Sequence, residues 1–384
     1  MSNKKIKVLV DGEALVVDHY SGVGHYTSDL MLAVDAIAEL DETIKLQICA
    51  PYRRIKRLDR FGFKNARFRK MPFPTRVSNY LKIRGYQPPI DLIFGKKIYL
   101  FPNYSSWPFL FSKSIPFIYD LSFVKYPEFV EPRNQAFLVE QVKKSVKRSS
   151  KIMTISKNSK AEIVEEYGVD PKDVIIAYPA IDQRKFYRRS DDEVKRTKAK
   201  YSIFGDYILF VGNIEPRKNL SGLISAYEQL DKKLRDRYSL LIVGAKGWLD
   251  SEIGQQIIAS RLQGNKIIQP GDYVTDKDLP AIYSGASAFA YVSLYEGFGI
   301  PPLEAMACGV PVVSSDNSSL PEAVGNAGLM VDAENSAEIA AMLTKVLNDP
   351  KLAEDLRQKG FKQVDKFSYE HSAKILIEAI RDLK

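Results

Sequence analysis

Short apolar runs alternate along the whole chain with longer amphipathic stretches. Runs such as YILFVG and SLLIVG are apolar throughout, which is typical of strands buried on both faces of a parallel sheet. The intervening stretches have the spacing of helices that cover such a sheet. The chain is therefore predicted to be an α/β protein. Its predicted strands are 6–12, 45–51, 98–103, 115–121, 151–156, 173–179, 207–212, 239–244, 266–270, 287–293 and 311–315.

Signals at helix ends support several predicted helices. Asn219 is a good N-cap for the helix that follows it. Pro301 and Pro302 are suited to open a short helix that Gly309 can close, because proline fits the first helical positions and glycine the position after the last. The main predicted helices are 24–40, 133–149, 157–167, 220–230, 276–285, 302–308, 336–348 and 369–383.

The length of 384 residues indicates two domains, at about 150 residues per domain. The composition, with 45% hydrophobic and 27% charged residues, excludes a disordered chain, a collagen and a disulfide scaffold. The charge-dense stretch 180–205 has no strand pattern and is interpreted as a linker. We predict domains at 1–185 and 186–368, with a C-terminal helix in 369–384 that packs back on the first. Two α/β halves put a cleft between them, and open α/β sheets bind ligands at the carboxyl ends of their strands.

The formal charge of +9 is concentrated in the first half of the chain. Residues 51–100 alone carry 14 basic side chains, opposed only by Asp59 and Asp91. Such an excess favours an anionic partner, which could be nucleic acid, anionic lipid or a phosphorylated substrate. An ordinary solvated surface explains the charge equally well at this point.

Cysteine and histidine are too few to indicate a disulfide framework or a zinc-type metal site. The two cysteines, Cys49 and Cys308, each lie in an apolar stretch, and there are three histidines. The N-terminus lacks the apolar run of a signal peptide, and no window approaches the roughly 18 apolar residues of a spanning helix. We expect a cytoplasmic protein whose membrane contact, if it has one, is peripheral.

The segment 287–315 reads as strand, glycine-containing loop, short helix and strand. A helix N-terminus suits an anion such as a diphosphate, and Gly297 and Gly299 let the backbone approach a ligand closely. Glu296 and Glu304 flank this turn, and their carboxylates suit the hydroxyls of a sugar or ribose. The alternative is a surface role for Glu296 and a helix-start role for Glu304.

Three further segments place polar residues after predicted strands. Arg217 and Lys218 follow the strand 207–212, where cations suit phosphate oxygens, unless they are only solvated loop charges. Gly22 and Gly24 precede the first long helix, but they lack the third glycine of a dinucleotide fingerprint. At the end of the strand 115–121 lie Asp120, expected to face the cleft, and Tyr119, which is equally suited to a core or a cleft position.

Taken in order, these segments resemble the retaining glycosyltransferases of family 4, which have the GT-B fold of two Rossmann-like domains with parallel sheets facing across a cleft. The stretch EGFGIPPLE, with AMACGVPVVSS and LPE after it, closely matches the donor-site signature of that family. GNIEPRKNL resembles its diphosphate loop, SGVGHY its glycine loop and YDLSFVKYPEF its acceptor-side strand end. The resemblance covers nearly the whole chain.

The resemblance implies a nucleotide-diphosphate sugar bound mainly by the second half. The base would lie near PGDYV (270–274), Glu304 would hold the ribose and Glu296 the sugar hydroxyls, as a catalytic residue together with Asp120 and Tyr119. The donor-binding set comprises the diphosphate cations and the backbone that approaches the donor: Gly22, Gly24, Arg217, Lys218, Gly297, Phe298, Gly299 and Ile300.

In this family the anomeric configuration is retained, and the leaving diphosphate is proposed to accept the acceptor's proton. Stabilising that leaving group is then the main demand on the protein, so neither a metal nor another cofactor is expected. Many relatives have His where this chain has Tyr119, and some have a further Arg where it has Asn213. Tyrosine is a poor base near neutral pH.

The resemblance favours a mannosyltransferase of polysaccharide or glycoconjugate assembly that uses GDP-mannose, with a UDP-sugar as the alternative donor. The acceptor is expected to be a glycan or a polyprenyl-diphosphate-linked glycan. A sugar-nucleotide epimerase of the same fold is a further alternative, and nucleic-acid binding is disfavoured because no recognition motif accompanies the charge. The basic residues of 51–100, such as Arg53, Arg54 and Lys56, are expected to bring the enzyme to the inner face of an anionic membrane or to the lipid diphosphate.

Overall fold

The computed structural model describes residues 5–17, 22–40, 43–73, 75–244 and 250–384. The chain divides into two compact units. The first unit comprises Met1–Pro179 together with Ser368–Lys384, and the second comprises Ala180–Phe367. The chain thus leaves the first unit at Pro179, a few residues before the boundary placed at 185 from the sequence, and returns to it at Ser368.

The strands lie close to the apolar runs of the sequence, with two additions. The strands β3 and β13 are absent from the sequence prediction, since one is rich in arginine and the other is short and begins at a glycine. In chain order the strands are β1 (Ile6–Asp11), β2 (Ile44–Pro51), β3 (Arg67–Met71), β4 (Ile98–Phe101), β5 (Lys113–Pro116), β6 (Ile152–Thr154), β7 (Val174–Ile176), β8 (Asp206–Val211), β9 (Tyr238–Val243), β10 (Ile267–Ile268), β11 (Ala288–Tyr291), β12 (Val312–Ser315) and β13 (Gly328–Val331).

The α-helices include all those predicted and several that the sequence pattern did not indicate. In chain order they are α1 (Gly22–Leu40), α2 (Thr75–Arg84), α3 (Ile90–Phe94), α4 (Ser122–Lys125), α5 (Pro132–Arg148), α6 (Lys157–Tyr167), α7 (Asp191–Lys200), α8 (Leu220–Glu228), α9 (Lys232–Arg237), α10 (Asp250–Leu262), α11 (Leu279–Ser284), α12 (Ile300–Ala307), α13 (Leu320–Val324), α14 (Ser336–Asn348), α15 (Pro350–Val364) and α16 (Tyr369–Asp382).

The first unit is built on a parallel sheet in the order β3-β2-β1-β4-β5, extended through a bridge between Phe117 and Met153 to the pair β6-β7. One face of this sheet packs on α1 and on the C-terminal helix α16 through a core that includes Val10, Leu30 and Leu376. The terminal helix therefore belongs to the first unit although the chain reaches it last.

The second unit is a parallel sheet in the order β10-β9-β8-β11-β12-β13. Numbered within the unit, this order is 3-2-1-4-5-6, which is that of a doubly wound dinucleotide-binding sheet. The order reverses between β8 and β11, whose carboxyl ends therefore diverge into the crevice where such sheets bind ligands. Gly212 follows β8 there, and the loop that carries Glu296 follows β11.

Two local predictions were wrong for identifiable reasons. The stretch 180–205 is not a linker between the two units, because it belongs to the second unit and contains α7, which begins behind a capping box of Ser190 and Glu193. The strand predicted at 115–121 ends at Pro116 as β5 and continues only as the bridge at Phe117. In contrast, Asn219 does cap α8, since its side chain accepts a hydrogen bond from the Gly222 N–H.

Candidate active site

Glu296 is the centre of a buried charge cluster at the carboxyl ends of β8 and β11. Its Oε1 accepts hydrogen bonds from Lys218 Nζ at 2.6 Å and from the Tyr291 hydroxyl at 2.8 Å. Its Oε2 accepts from the Arg217 guanidinium at 2.8 Å, and Arg217 also contacts Glu215 at 2.9 Å. Only 6% of the surface of Glu296 is exposed. The structure therefore brings together both cations and one carboxylate that the sequence placed in the site, but it pairs them with one another.

The charges in this cluster fix the protonation states of its members. Burial alone would raise the pKa of Glu296, but the adjacent charges of Arg217 and Lys218 lower it to about 2. Burial lowers the pKa of Lys218, and Glu296 opposes that shift. Burial and the neighbouring carboxylate raise the pKa of Tyr291, so its hydroxyl stays protonated. Glu296 is thus a carboxylate, and Tyr291 is a hydrogen-bond donor to it.

Backbone contacts lock the loops that carry these side chains. The Leu294 N–H donates to the Arg217 carbonyl at 2.9 Å, which joins the loop after β11 to the loop after β8. The Glu296 N–H donates to the Ser318 hydroxyl at 3.0 Å, and the Ser319 hydroxyl donates to the Glu296 carbonyl at 2.7 Å. Because the N–H and the carbonyl of Glu296 are both hydrogen-bonded, the backbone that carries its carboxylate is held in place.

The glycine-containing turn leads directly into α12. Gly299 has a φ of +106°, and a Cβ there would lie 2.6 Å from Leu320, so glycine is required on two counts. Phe298 anchors the turn by packing edge-on against Phe367. The helix begins at Ile300, two residues earlier than the sequence indicated. Since the next two residues are prolines without N–H groups, Ile300 supplies the one backbone donor of the first three helical positions.

Glu304 lies one turn into α12 and is partly buried. Its Oε2 accepts a hydrogen bond from the Tyr283 hydroxyl at 2.8 Å. Burial raises the pKa of Glu304 to about 7, and nearby Asp276 adds to the shift. Glu304 and Glu296 therefore differ sharply: near neutral pH the first titrates, whereas the second is fully ionised.

A groove of about 570 Å³ lies at the carboxyl ends of β8, β9 and β10. This volume is within the roughly 300–1,000 Å³ of small-molecule sites. A Cβ on Gly244 would lie only 1.8 Å from the Gly212 carbonyl, so the two strand ends can approach here only without a side chain. The groove includes the stretch predicted to lie near the base. Its lining includes Gly212, Asn213, Gln269, Asp272, Tyr273 and Asp276.

In the first unit, Tyr119 and Asp120 have different surroundings. Tyr119 is 5% exposed, and its hydroxyl donates to the Pro102 carbonyl at 3.0 Å. Burial raises its pKa well above the ordinary value. Of the two positions that the sequence allowed for Tyr119, this arrangement favours the core over the cleft. Asp120 is half-buried, and its carboxylate accepts hydrogen bonds from the N–H and hydroxyl of Ser122.

The first glycines are part of a helix. The helix α1 begins at Gly22, so Gly22 and Gly24 occupy its first turn, where the sequence placed a loop that reached residue 23. Gly22 is exposed and Gly24 is buried. The residues 18–21 before them lie outside the described part of the chain. The predicted approach of Gly22 and Gly24 to a donor therefore stays a prediction.

Sequence reasoning missed the tyrosines that hold the two carboxylates. Tyr291 lies in a strand and Tyr283 in a short helix, and both are fully buried. A buried tyrosine needs a partner for its hydroxyl, which is the one signal that pointed to such a role. Glu215 was also missed, because nothing local shows that it contacts Arg217. Within the described residues, no group of three or more His, Cys, Asp and Glu side chains is arranged to hold a metal ion.

Comparison with known proteins agrees with this architecture. Residues 194–363 match the family model described as glycosyl transferases group 1. The chain is 34% identical over 285 residues to O-antigen chain mannosyltransferase B of Escherichia coli, with 74% of each chain covered. It is 27% identical to the O-antigen chain mannosyltransferase RfbU of Salmonella typhimurium, with 82% of this chain and 84% of that protein covered.

Solved structures show the same fold at low sequence identity. A glycosyltransferase from Rickettsia africae superposes with a TM-score of 0.70 at 17% identity, covering 99% of this chain and 98% of that one. WaaG, described as a glycosyltransferase involved in lipopolysaccharide biosynthesis, gives 0.68 at 15% identity, covering 96% and 98%. The two doubly wound units and the charge cluster thus define a glycosyltransferase with the GT-B fold. The chain belongs to the group 1 glycosyltransferase family.

Proposed function

We propose that this glycosyltransferase transfers mannose from GDP-mannose to a glycan acceptor, with retention of the anomeric configuration and without a metal. The observation that carries the proposal is the position of Lys218 and Arg217 around Glu296, at the point where the sheet order of the second unit reverses. The similarity to two O-antigen mannosyltransferases supports mannose as the sugar.

The donor would extend from the groove to the charge cluster. A nucleoside fits the groove, where exposed Tyr273 offers an aromatic face and Asp272 a carboxylate. Guanine presents two neighbouring N–H donors on one edge, which suits a carboxylate such as Asp272. Glu304 would accept hydrogen bonds from the ribose hydroxyls. Since Gly212 lines the groove and borders the Lys218 side chain, the diphosphate would reach the cations directly.

The cluster would promote the reaction by stabilising charge. As the bond between the anomeric carbon and the phosphate oxygen breaks, negative charge grows on the diphosphate, and Lys218 and Arg217 would stabilise it. A hydroxyl of the acceptor forms the new bond on the same face of the sugar, and its proton passes to the departing phosphate oxygen. Glu296, held as a carboxylate, would accept hydrogen bonds from the sugar hydroxyls and fix the sugar's orientation.

The proposal requires the cations to be shared. In the described structure Arg217 and Lys218 are balanced by Glu215 and Glu296, so the cluster has no net charge. A bound diphosphate would share both cations with Glu296, and the sugar hydroxyls would compensate that carboxylate. Asp120 in the first unit would serve the acceptor hydroxyl, while Tyr119 would act only through packing.

The acceptor is proposed to be a glycan carried on a polyprenyl diphosphate, met at the inner face of a membrane. The basic residues of the first unit support an anionic surface or carrier. Within the described residues, no helix combines the length and the apolar character needed to cross a bilayer.

The test is product analysis with defined donors. GDP-mannose, GDP-fucose, UDP-glucose and UDP-galactose are each incubated with the enzyme and a lipid-linked glycan, and the new linkage is read by NMR. We expect transfer from GDP-mannose alone, an α-linkage matching the donor, and the same rate after treatment with a chelator. Transfer only from UDP-sugars would overturn the donor, a β-linkage would overturn retention, and loss with chelator would overturn metal independence.

A further inference from the structure

Strand register places several cations on one face of the first sheet. Lys7 of β1 lies opposite Lys45 of β2, so both side chains point to the same face. Two residues further along the strands, Gln47 of β2 pairs with Arg67 of β3, and Arg69 follows on the same face. This is the face whose later positions, such as Leu9 and Tyr99, are fully buried. The face is thus apolar toward the carboxyl ends and basic toward the amino ends of its strands.

The basic part of this face is open to solvent. Lys7, Lys45, Arg67 and Arg69 are all exposed, and within the described part of the chain none of them forms an ion pair. Lys97, just before β4, reaches the same face, since its Nζ donates to the Gln47 side chain at 2.6 Å. Its pKa is lowered by burial and by the charges of Arg69 and Lys7, which shows that these cations lie close together.

Exposed apolar side chains lie on and next to the helix α3, whose Phe94 ring is 5.9 Å from the Lys97 ammonium. The helix α3 covers the neighbouring part of the same face, where the carbonyl of Gly95, the residue after the helix, accepts from the Tyr99 hydroxyl at 2.7 Å. Leu92 on α3 is 62% exposed. Leu110 and Phe111 are 66% and 50% exposed, and their backbone N–H groups both donate to the buried Asp91 carboxylate of α3. Asp91 therefore fixes the backbone of Leu110 and Phe111 against α3, the helix that carries exposed Leu92.

We propose that this surface, which we call the basic sheet face (Lys7, Lys45, Arg67, Arg69 and Lys97), docks the enzyme on a bilayer containing anionic phospholipid, with Leu92, Leu110 and Phe111 entering the interface. Cations near the surface attract anionic headgroups, and flanking apolar side chains insert at the boundary of headgroups and acyl chains. The inference deepens the proposed function, since it rests on the acceptor being lipid-linked.

The position on the sheet argues against direct recognition of the acceptor. Open α/β sheets bind their ligands beyond the carboxyl ends of the strands. Lys7 and Lys45 lie at the amino ends of β1 and β2, on the opposite edge. The exposed leucines and phenylalanine argue against a nucleic acid, because phosphate contacts need cations and polar groups but no aliphatic side chains.

The proposed contact keeps Arg67, Arg69 and Lys97 from the basic run 51–100 that the sequence indicated, but not Arg57 and Arg60. Arg57 donates to the Val16 carbonyl at 2.8 Å and Arg60 donates to the Leu15 carbonyl at 2.9 Å. Both arginines therefore tie a neighbouring 3₁₀ turn in place. Lys7 and Lys45 were not part of the sequence-based expectation, since they lie outside 51–100.

The test compares two full-length variants that lose the same charge. In the first, Lys7, Lys45, Arg67 and Arg69 are each changed to Gln. In the control, four exposed lysines of the second unit are changed to Gln: Lys232, Lys233, Lys351 and Lys362. Co-sedimentation is measured with phosphatidylcholine vesicles, with and without about one-third phosphatidylglycerol. We expect the sheet-face variant to lose roughly tenfold or more in affinity for the anionic vesicles, and the control to bind like the wild type.

Two further readouts separate this inference from the proposed function. Changing Leu110 and Phe111 to Ser should make vesicle binding more sensitive to salt while leaving nucleotide binding unchanged. The sheet-face variant should keep its thermal response to nucleotide diphosphates. Equal loss of binding in the control, no preference of the wild type for anionic vesicles, or tight binding of duplex DNA in their place would each overturn the proposal.

Discussion

The ammonium of Lys218 lies 2.6 Å from the carboxylate of Glu296, although 78 positions separate the two residues in the chain. Lys218 arrives from the loop after β8 and Glu296 from the loop after β11, the two strands between which the sheet order reverses. The contact is therefore a product of the doubly wound topology. We expect this one ion pair to serve both the folding of the second unit and the binding of the proposed donor.

Removing the charge of Glu296 should reduce stability in a pH-dependent way. Its pKa is about 2 in the folded protein against an ordinary 4.5, so the carboxylate stabilises the fold above about pH 4.5, and this contribution is lost as the pH falls toward 2. At pH 7 we expect Glu296→Gln to cost on the order of 3 kcal/mol in urea unfolding, with a smaller cost at pH 4. Glu370→Gln, which removes only an exposed pair with Lys374, should leave unfolding unchanged. A cost that does not shrink below pH 4.5 would contradict this account.

Tyr291 is a buried strand residue, but we expect its hydroxyl to affect the transfer activity as well as the stability. Its hydroxyl accepts from Lys218 at 2.7 Å and donates to Glu296 at 2.8 Å. Tyr291→Phe keeps the ring and removes this bridge, so we expect about 1–3 kcal/mol of lost stability and a lower kcat for transfer. The matched control is Tyr227→Phe, which loses a buried hydrogen bond from the hydroxyl to the backbone carbonyl of Tyr238 rather than to a charged side chain. If both variants lose stability but neither loses activity, Tyr291 has no positioning role.

Glu304 should destabilise the protein at alkaline pH. Its folded pKa of about 7 lies above the ordinary 4.5, so the stability present below pH 4.5 is lost as the pH rises through 7. Glu304→Gln is therefore expected to raise stability at pH 8 by about 1–3 kcal/mol and to change little near pH 4.5. Exposed Glu334→Gln serves as the control.

The same titration should appear in donor binding. If ribose hydroxyls donate to Glu304, calorimetric affinity for the nucleotide increases between pH 6 and pH 8, and Glu304→Gln removes that dependence. A wild-type affinity that does not change between pH 6 and pH 8 would contradict a hydrogen bond between Glu304 and the ribose.

Tyr119→Phe should leave transfer intact. The substitution removes the hydrogen bond to the Pro102 carbonyl and the 3.3 Å contact with the Thr27 hydroxyl, which predicts a loss of about 1–2 kcal/mol in thermal or urea unfolding and an unchanged kcat. Tyr26→Phe provides the comparison, since Tyr26 packs edge-on against Tyr119 and donates to the Ala177 carbonyl at 2.8 Å. A large drop in kcat for Tyr119→Phe with little loss of stability would instead give this hydroxyl a part in the reaction.

Apolar runs predicted the central strands because a strand buried on both faces leaves an unbroken signal. The edge strand β3 carries no such signal, since its sequence RFRKM is mostly exposed and places arginine on the open face. The polar helix α7 was missed for a related reason. Its capping box of Ser190 and Glu193 was present in the sequence, but its few apolar residues gave no helical stripe.

The members of the site were predictable, whereas their pairing was not. Glu296, Glu304, Arg217 and Lys218 could be named from motifs that lie next to strand ends. That Arg217 and Lys218 both bond Glu296 depends on bringing two distant loops together. The two prolines at the start of α12 can be read directly from the sequence. Because the helix begins at Ile300, both prolines lie within its first turn, where they remove N–H donors from the expected anion site.

The central claim is that the second unit binds a guanine nucleotide-diphosphate sugar through Lys218. The most direct measurement is the thermal shift of wild type and Lys218→Gln with GDP, GDP-mannose, UDP, UDP-glucose and ADP. A ligand at a hundred times its dissociation constant stabilises by roughly 3 kcal/mol. We predict a clear upward shift for wild type with GDP and GDP-mannose, a smaller one with the other nucleotides, and little response in the variant. The absence of any nucleotide response in wild type, or an equal response in the variant, would contradict the account.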